Sequence, residues 1–432
     1  MQTEEMIDVL IVGAGATGLA AWRELRSAGL RVGLLEARNR LGGRILTDRS
    51  ALPPVELGAE FVHGKPEATW SILEKAHLPV VETSRTRIIS GRDHPNQNYE
   101  EIIERVHRQI NPTHEISYQE FLGTANASPF EKLVAKSYVE GFNAAQADLI
   151  SAPAVVAGDQ ATTRNDGKKQ YRLTGGYESL INWLAKHLPA DSLHLQTEVR
   201  EICWQRGRVD VIANSSGGKQ TFSAQRLIVT VPISLLQASE DLQGTIRFFP
   251  SLPQKEAALR QLAMGHVVKL VIRFKERFWE TKGRFGFVHS LGDNIPTWWT
   301  QEPLLSNCLT GWSGGSVAHK LIDLSAEELL DRAIDSLGRI FERSKHGLKE
   351  CIDQMYYHNW SHDPFSRGAY SYPKIDGLKA ARFLAEPVDD TVFLAGEATN
   401  FEGDGGTVHA ALKSGVSTAR KVATTFFKQI GR

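Results

Sequence analysis

A chain of 432 residues with 41% hydrophobic and 23% charged residues has the composition of an ordinary globular protein but is too long for one ordinary core, so two domains sharing an interface are expected. Lys plus Arg and Asp plus Glu both total 50, and zero formal charge excludes whole-molecule attraction to nucleic acid or anionic lipid. Three widely spaced cysteines, Cys203, Cys308 and Cys351, show no metal-ligand pattern, suit a reducing compartment and read as structural.

The start of the chain carries acidic Glu4 and Glu5 where a signal peptide would carry basic residues. No apolar run approaches the roughly 20 residues that span a bilayer, so a cytoplasmic protein without a membrane anchor is expected. Asp8 to Val12 (DVLIV) is an apolar, β-branched run of the kind a buried parallel strand needs. A glycine turn follows, then a helix predicted over Leu19 to Leu30 and a second strand over Arg31 to Leu35, which together complete a β-α-β unit.

From about Thr86 to Arg172 polar helices take over, for example Tyr99 to Ile110, where Ile102, Ile103, Val106 and Ile110 share a face. This stretch reads as an insertion. Val209 to Ala213 and Leu227 to Val231, separated by the turn Ser215 to Gly218, predict a β-meander. Val267 to Phe274 (VVKLVIRF) is strongly strand-like, and Ser325 with Glu328 forms a capping box before an amphipathic helix. Thr391 to Leu394 closes as a strand, Gly403 to Gly406 as a loop and Thr407 to Phe426 as a helix.

Gly13, Gly15 and Gly18 form G-x-G-x-x-G directly after a strand, and Glu36 ends the second strand about 20 residues on. The first glycine permits the turn, the second lets backbone approach a pyrophosphate and the third lets helix pack on strand; free N–H groups at the helix start, around Ala16 and Thr17, face the phosphates. Glu36 accepts hydrogen bonds from a ribose and disfavours a 2′-phosphate there, which argues against NADP.

The run Glu36-Ala37-Arg38-Asn39-Arg40-Leu41-Gly42-Gly43-Arg44 resembles the flavin-dependent amine oxidase family of monoamine oxidases, polyamine oxidases and lysine-specific demethylases. The resemblance continues through Glu56 to Ala59, Gly175 to Tyr177, Val229 to Pro232, Lys269, Trp360 to Tyr372 and Phe393 to Gly415, with a layout nearest to soluble polyamine oxidases. It implies an α/β fold: a Rossmann-like FAD-binding domain of the GR2 type over 1–85, 175–248 and 386–432, and a discontinuous α+β substrate-binding domain over 86–174 and 249–385.

By that resemblance Arg38 and Arg44 counter the pyrophosphate charge while Gly42 and Gly43 bring backbone close to FAD. Gly58, Ala59, Glu60, Val231, Trp360 and Gly396 belong to the same cofactor site. Val199 holds the adenine through its backbone, and Glu397 with the helix start at Gly406, Thr407 and Val408 holds ribitol and the flavin pyrimidine. A helix N-terminus there favours the negative charge of a reduced flavin.

Lys269 stands inside an apolar strand run, where an unpaired ammonium is costly; in the family a lysine here contacts flavin N5 through a water. Tyr370 corresponds to one wall of an aromatic cage whose other wall is Thr407 here. Ala369 stands where some monoamine oxidases attach flavin through cysteine, which implies non-covalent FAD. Glu60 and His63 lie in a block that faces substrate, and Phe61 stands about where amino-acid oxidases carry an arginine. A carboxylate at Glu60 is expected to attract a cationic amine.

The expected reaction is hydride transfer from the carbon next to nitrogen to flavin N5, reoxidation by O2 to hydrogen peroxide and hydrolysis of the imine to an aldehyde. The expected partners are a small-molecule amine and O2. One alternative is an L-amino-acid oxidase, its carboxylate clamped by Arg85, Arg87 or Arg92. A flavoprotein interaction module acting on a protein tail is the other, disfavoured because the sequence has no long helical insertion or basic tail.

Overall fold

The computed structural model describes residues 6–90, 98–429 and 431; Glu4, Glu5 and Arg92 lie outside the described residues. Strand β1 (Ile7–Val12) is buried from Asp8 onward, as its β-branched composition requires of a strand covered on both faces. Helix α1 (Ala16–Ser27) starts three residues before the predicted Leu19, because Gly15 itself serves as the N-cap. The chain then returns as β2 (Val32–Leu35), parallel to β1 from Val9↔Val32 to Val12↔Leu35.

β3 (Gly218–Val229) is long because it serves two partners. Its first half closes an antiparallel meander with Glu198–Gln205 and Arg208–Ser215. Its second half runs parallel to β1 and to Val392–Leu394, giving a five-strand parallel layer with Leu193–His194 at the far edge. Alternation along β1 divides the core: Val9 and Ile11 pack under α1 and the last helix α2 (Val408–Gln429), while Leu10 and Val12 pack toward the meander.

The second large sheet runs in the order Ile352–Tyr357, β4 (Val267–Phe274), Cys308–Gly314, Thr297–Trp299, Phe287–Ser290 and Arg87–Ser90. β4 is paired on both sides, Lys269 opposite Trp312 and Leu270 opposite Tyr357, so it is an interior strand. Val268, Leu270 and Ile272 pack under the capped helix Ala326–Phe341, whose capping box at Ser325 and Glu328 is formed as expected. Val271, on the opposite face with Lys269, meets Ala51 and Val55 from the stretch that follows the β-α-β unit.

Four helices between Tyr99 and Arg164 make a third layer with their own apolar core. The first ends at His107, short of the predicted Ile110, although Ile110 stays buried. The expected insertion does not stay in one place. Its strand Arg87–Ser90 joins the second sheet, whereas Gln170–Leu173 pairs with Val62–His63 and Val80–Glu82. No helix among the described residues is long and apolar enough to cross a membrane.

Gly18 carries the junction of β1 and α1: a Cβ there would lie 1.9 Å from the Gly13 carbonyl oxygen, and that contact is backbone on both sides. Gly18→Ala is therefore expected to destabilise the fold by about 1–3 kcal/mol, the range for overpacking. Urea unfolding measures it; an unchanged midpoint would show that the helix simply shifts away.

Candidate functional site

A cavity of about 2020 Å³ runs from the β1–α1 turn to the second sheet. At the first end Gly13, Gly15, Ala16 and Thr17 line it beside a helix start that has no side-chain cap, which leaves backbone donors available to an anion. Gly42 and Gly43, both in the left-handed region (φ +97° and +58°), pack against Gly15. Glu36 is pre-oriented, accepting from the N–H groups of Ala14 at 2.8 Å and Arg38 at 2.9 Å.

Ala37, Arg38, Arg44, Gly58, Ala59, Glu60, Val199, Val231, Trp360, Glu397, Gly406, Thr407 and Val408 line the same cavity. Gly18 and Gly396 do not. Gly18 is buried against Gly13, and the Gly396 N–H donates to Ser414 at 3.0 Å. The two arginines are not free counter-charges either. Arg38 is paired with Asp363 at 2.5 Å and Arg44 with Glu397 at 3.0 Å, so each offers remaining N–H donors with its charge already opposed.

At the start of α2 the Thr407 hydroxyl donates to the Asp404 carbonyl at 2.7 Å and accepts from the Ala410 N–H at 3.1 Å. It is the helix cap, so its expected place as a cage wall is filled by a hydroxyl already committed to backbone. Tyr370 lines the cavity with its ring against Gly406 and its hydroxyl donating to the Phe142 carbonyl at 2.7 Å. Burial pushes its phenol above the ordinary range, so it stays protonated.

Lys269 is buried and neither snorkels nor stands alone. Its ammonium pairs with Glu60 at 2.7 Å and donates to the Gly58 carbonyl at 3.0 Å. Glu60 also accepts from Arg172 at 2.6 Å and from the Trp299 indole at 3.0 Å. Burial opposes the charge of Glu60, but Lys269 and Arg172 overcome that and hold its carboxyl at about 2. Expecting Glu60 to attract a cationic amine is thus corrected: the carboxylate is spent on two cations, Lys269 and Arg172. Nearby Glu56 is pushed up to about 7 by burial, against the Tyr177 N–H and Lys269.

Beyond the cluster the wall is aromatic. Phe61 touches Trp299 (5.5 Å between centroids), Phe287 (6.0 Å) and His63 (6.3 Å); Trp299 reaches Trp312 and His63 reaches Phe142. Burial, with His409 nearby, lowers the His63 imidazole to about 4, so it is neutral near pH 7.

Sequence reading missed Arg172, Trp299, Phe142 and Phe287. Only Arg172 gave a signal, being a cation between apolar neighbours in Gln170–Leu173, as Lys269 is in β4. Arg85 and Arg87 line the cavity from exposed positions, and Arg87 is held by Glu100 at 2.6 Å.

The sequence profile of the family described as flavin containing amine oxidoreductase matches residues 16–113 and 93–423. Polyamine oxidase 3 of Oryza sativa subsp. japonica is 30% identical over 95% of this chain and 88% of its own length. Human lysine-specific histone demethylase 2 is 29% identical over 96% of this chain and 53% of its own length. A solved structure of putrescine oxidase bound to putrescine superposes with a TM-score of 0.81 at 24% identity, covering 99% of this chain and 100% of that one.

Replacing Glu60 with Gln leaves Lys269 and Arg172 without their shared anion, and breaking a buried pair costs about 3–5 kcal/mol. Because the folded carboxyl of Glu60 lies below its unfolded value of 4.5, its contribution is fully present above that value and lost as pH falls toward about 2. Urea unfolding of Glu60→Gln and the parent is expected to differ most at pH 7 and to converge toward pH 3; a difference independent of pH would refute the assignment.

Proposed function

The chain belongs to the flavin containing amine oxidoreductase family, and from that membership we propose that it is an FAD-dependent oxidase of primary or secondary amines, polyamines among the candidates, holding FAD without a covalent bond. The observation that carries this reading is a continuous cavity joining a glycine-lined phosphate cradle, Gly13 to Thr17, to an aromatic chamber with Lys269 in its wall. In this reading residues 1–85, 175–248 and 386–432 hold the cofactor and the rest of the chain shapes the substrate side.

The start of α1 and Glu36 suit the diphosphate and ribose of a dinucleotide, and the start of α2 with Glu397 suits the flavin end. Ala369 lines the cavity and has no nucleophile to bond a flavin. The chemistry a bound FAD supplies is that of an electron sink, taking hydride from the carbon beside nitrogen and passing the pair to dioxygen as hydrogen peroxide. What the chain's own residues do is orient and desolvate. Tyr370, Phe61 and Trp299 exclude water around the reacting carbon, and an apolar wall favours the neutral amine, the form with a lone pair to push.

Lys269, fixed by Glu60 and the Gly58 carbonyl, is a positioned N–H donor in that wall. No Ser/His/Asp triad is required. The imine product hydrolyses with water to an aldehyde or ketone, releasing ammonia from a primary amine and a smaller amine from a secondary one. The polyamine oxidase relatives support di- and polyamines as candidates.

Purified protein is expected to be yellow and to release its flavin on acid precipitation. Anaerobic addition of amines should bleach the flavin absorbance, and Lys269→Met should retain flavin while slowing turnover by about 10-fold or more. Colourless protein that takes up no flavin, or bleaching by amino acids alone, would reject the reading; full turnover in Lys269→Met would remove that residue from it.

A further inference from the structure

The aromatic chamber is already supplied with cations. Arg172 lies over the Phe61 ring at 5.1 Å, Lys269 over Trp299 at 5.8 Å and Arg87 over Phe287 at 5.9 Å. A ring face that attracts a cation is the usual way an apolar pocket tolerates an ammonium. Here each of these three rings has that interaction with a residue of the protein.

Several carboxylates are committed in the same way: Glu60 stands between Lys269 and Arg172, and further out Glu100 pairs with Arg87 at 2.6 Å and Glu104 with Lys168 at 2.8 Å, while Asp159 is hydrogen-bonded to His107 at 2.7 Å. In the inner cluster two cations face the Glu60 carboxylate, and the neighbouring Glu56 carboxyl, pushed up to about 7 by burial, offsets them only in part near neutral pH. Buried Nη1 of Arg172 has no hydrogen-bond partner among the described residues, so the surplus is not bonded away.

Resting on the amine-oxidase reading, we propose that the substrate is a monoamine carrying an apolar ring or branched hydrocarbon group, and that Arg172, behind Phe61, is a specificity-determining residue that rejects a second ammonium. A diamine or polyamine must bring its distal charge into a chamber where Phe61, Phe287 and Trp299 each already hold a cation of the protein and Glu60 is shared by Lys269 and Arg172. That charge meets two buried cations without a free carboxylate of the cluster to pair with. An aromatic or alicyclic group instead meets Phe61, Phe287, Trp299 and Trp312 by ordinary apolar contact. The same pair of cations disfavours the protonated form of the reacting nitrogen as well.

The test is kcat/KM for flavin reduction by benzylamine and cyclohexylamine against putrescine and spermidine, at one pH and ionic strength. The ring amines are expected to lead by at least ~100-fold, the scale at which an unpaired group in a pocket is rejected. Arg172→Gln removes one of the two cations and should narrow that lead by ~10-fold, chiefly through a lower KM for putrescine.

Equal or better kcat/KM with putrescine or spermidine would overturn the proposal and leave amine oxidation standing. Bleaching by no amine would overturn both. A ratio unmoved in folded Arg172→Gln would remove Arg172 from the explanation, and should that variant not fold, the ratio in the parent protein decides.

Discussion

One buried ion cluster fixes the geometry on which the rest depends. Lys269 comes from the interior strand of the second sheet, Glu60 from the loop after Gly58 and Arg172 from a strand of the small sheet formed by residues 62–63, 80–82 and 170–173. Three distant stretches of chain are tied at one carboxylate. Buried ion pairs seldom stabilise more than apolar packing of the same volume would, since desolvation consumes most of the attraction. Their value here is positional: Glu60 and the Gly58 carbonyl together hold the ammonium of Lys269 in one place.

The dependence runs outward from there. The Gly58 carbonyl, held by Lys269, belongs to the stretch Leu57 to Glu60 that lines the cavity, while Trp299, held by Glu60, belongs to the aromatic chamber. The same cluster thus sets the distance between the part of the cavity suited to flavin and the part suited to substrate. Tyr370 is fixed independently by the Phe142 carbonyl at the end of helix Pro129–Asn143, which brings the helical layer into the same wall.

The β-α-β unit is legible in the sequence because its signals are local: a β-branched run, glycines at fixed spacing and an acid closing the second strand. Alternation in β4 is legible for the same reason, and it sets Lys269 apart as a cation between Val268 and Leu270. Glu60 is misread from sequence because its partners are 112 and 209 positions away in the chain, and nothing near it shows that its charge is already spent. Thr407 carries two readings at once: it lines the cavity, as the family resemblance implies, and its hydroxyl caps the last helix, a local role that the family resemblance does not bring out. The small misplacements at helix ends, Ile110 outside its helix and Ala16 inside, are the usual uncertainty of where a periodic pattern stops.

Protonation ties these observations together. An amine arriving from water is mostly charged near pH 7, and only its neutral form can release a hydride from the adjoining carbon. In this wall Lys269 and Arg172 together outnumber the Glu60 carboxylate they share, a field that opposes the charge of an ammonium, and the buried Tyr370 phenol stays protonated and adds no anion to offset it. On the proposed reading, selection against a second ammonium and activation of the reacting amine are one electrostatic property of this wall. A substrate that keeps a second positive charge elsewhere on its frame must carry it into the same field.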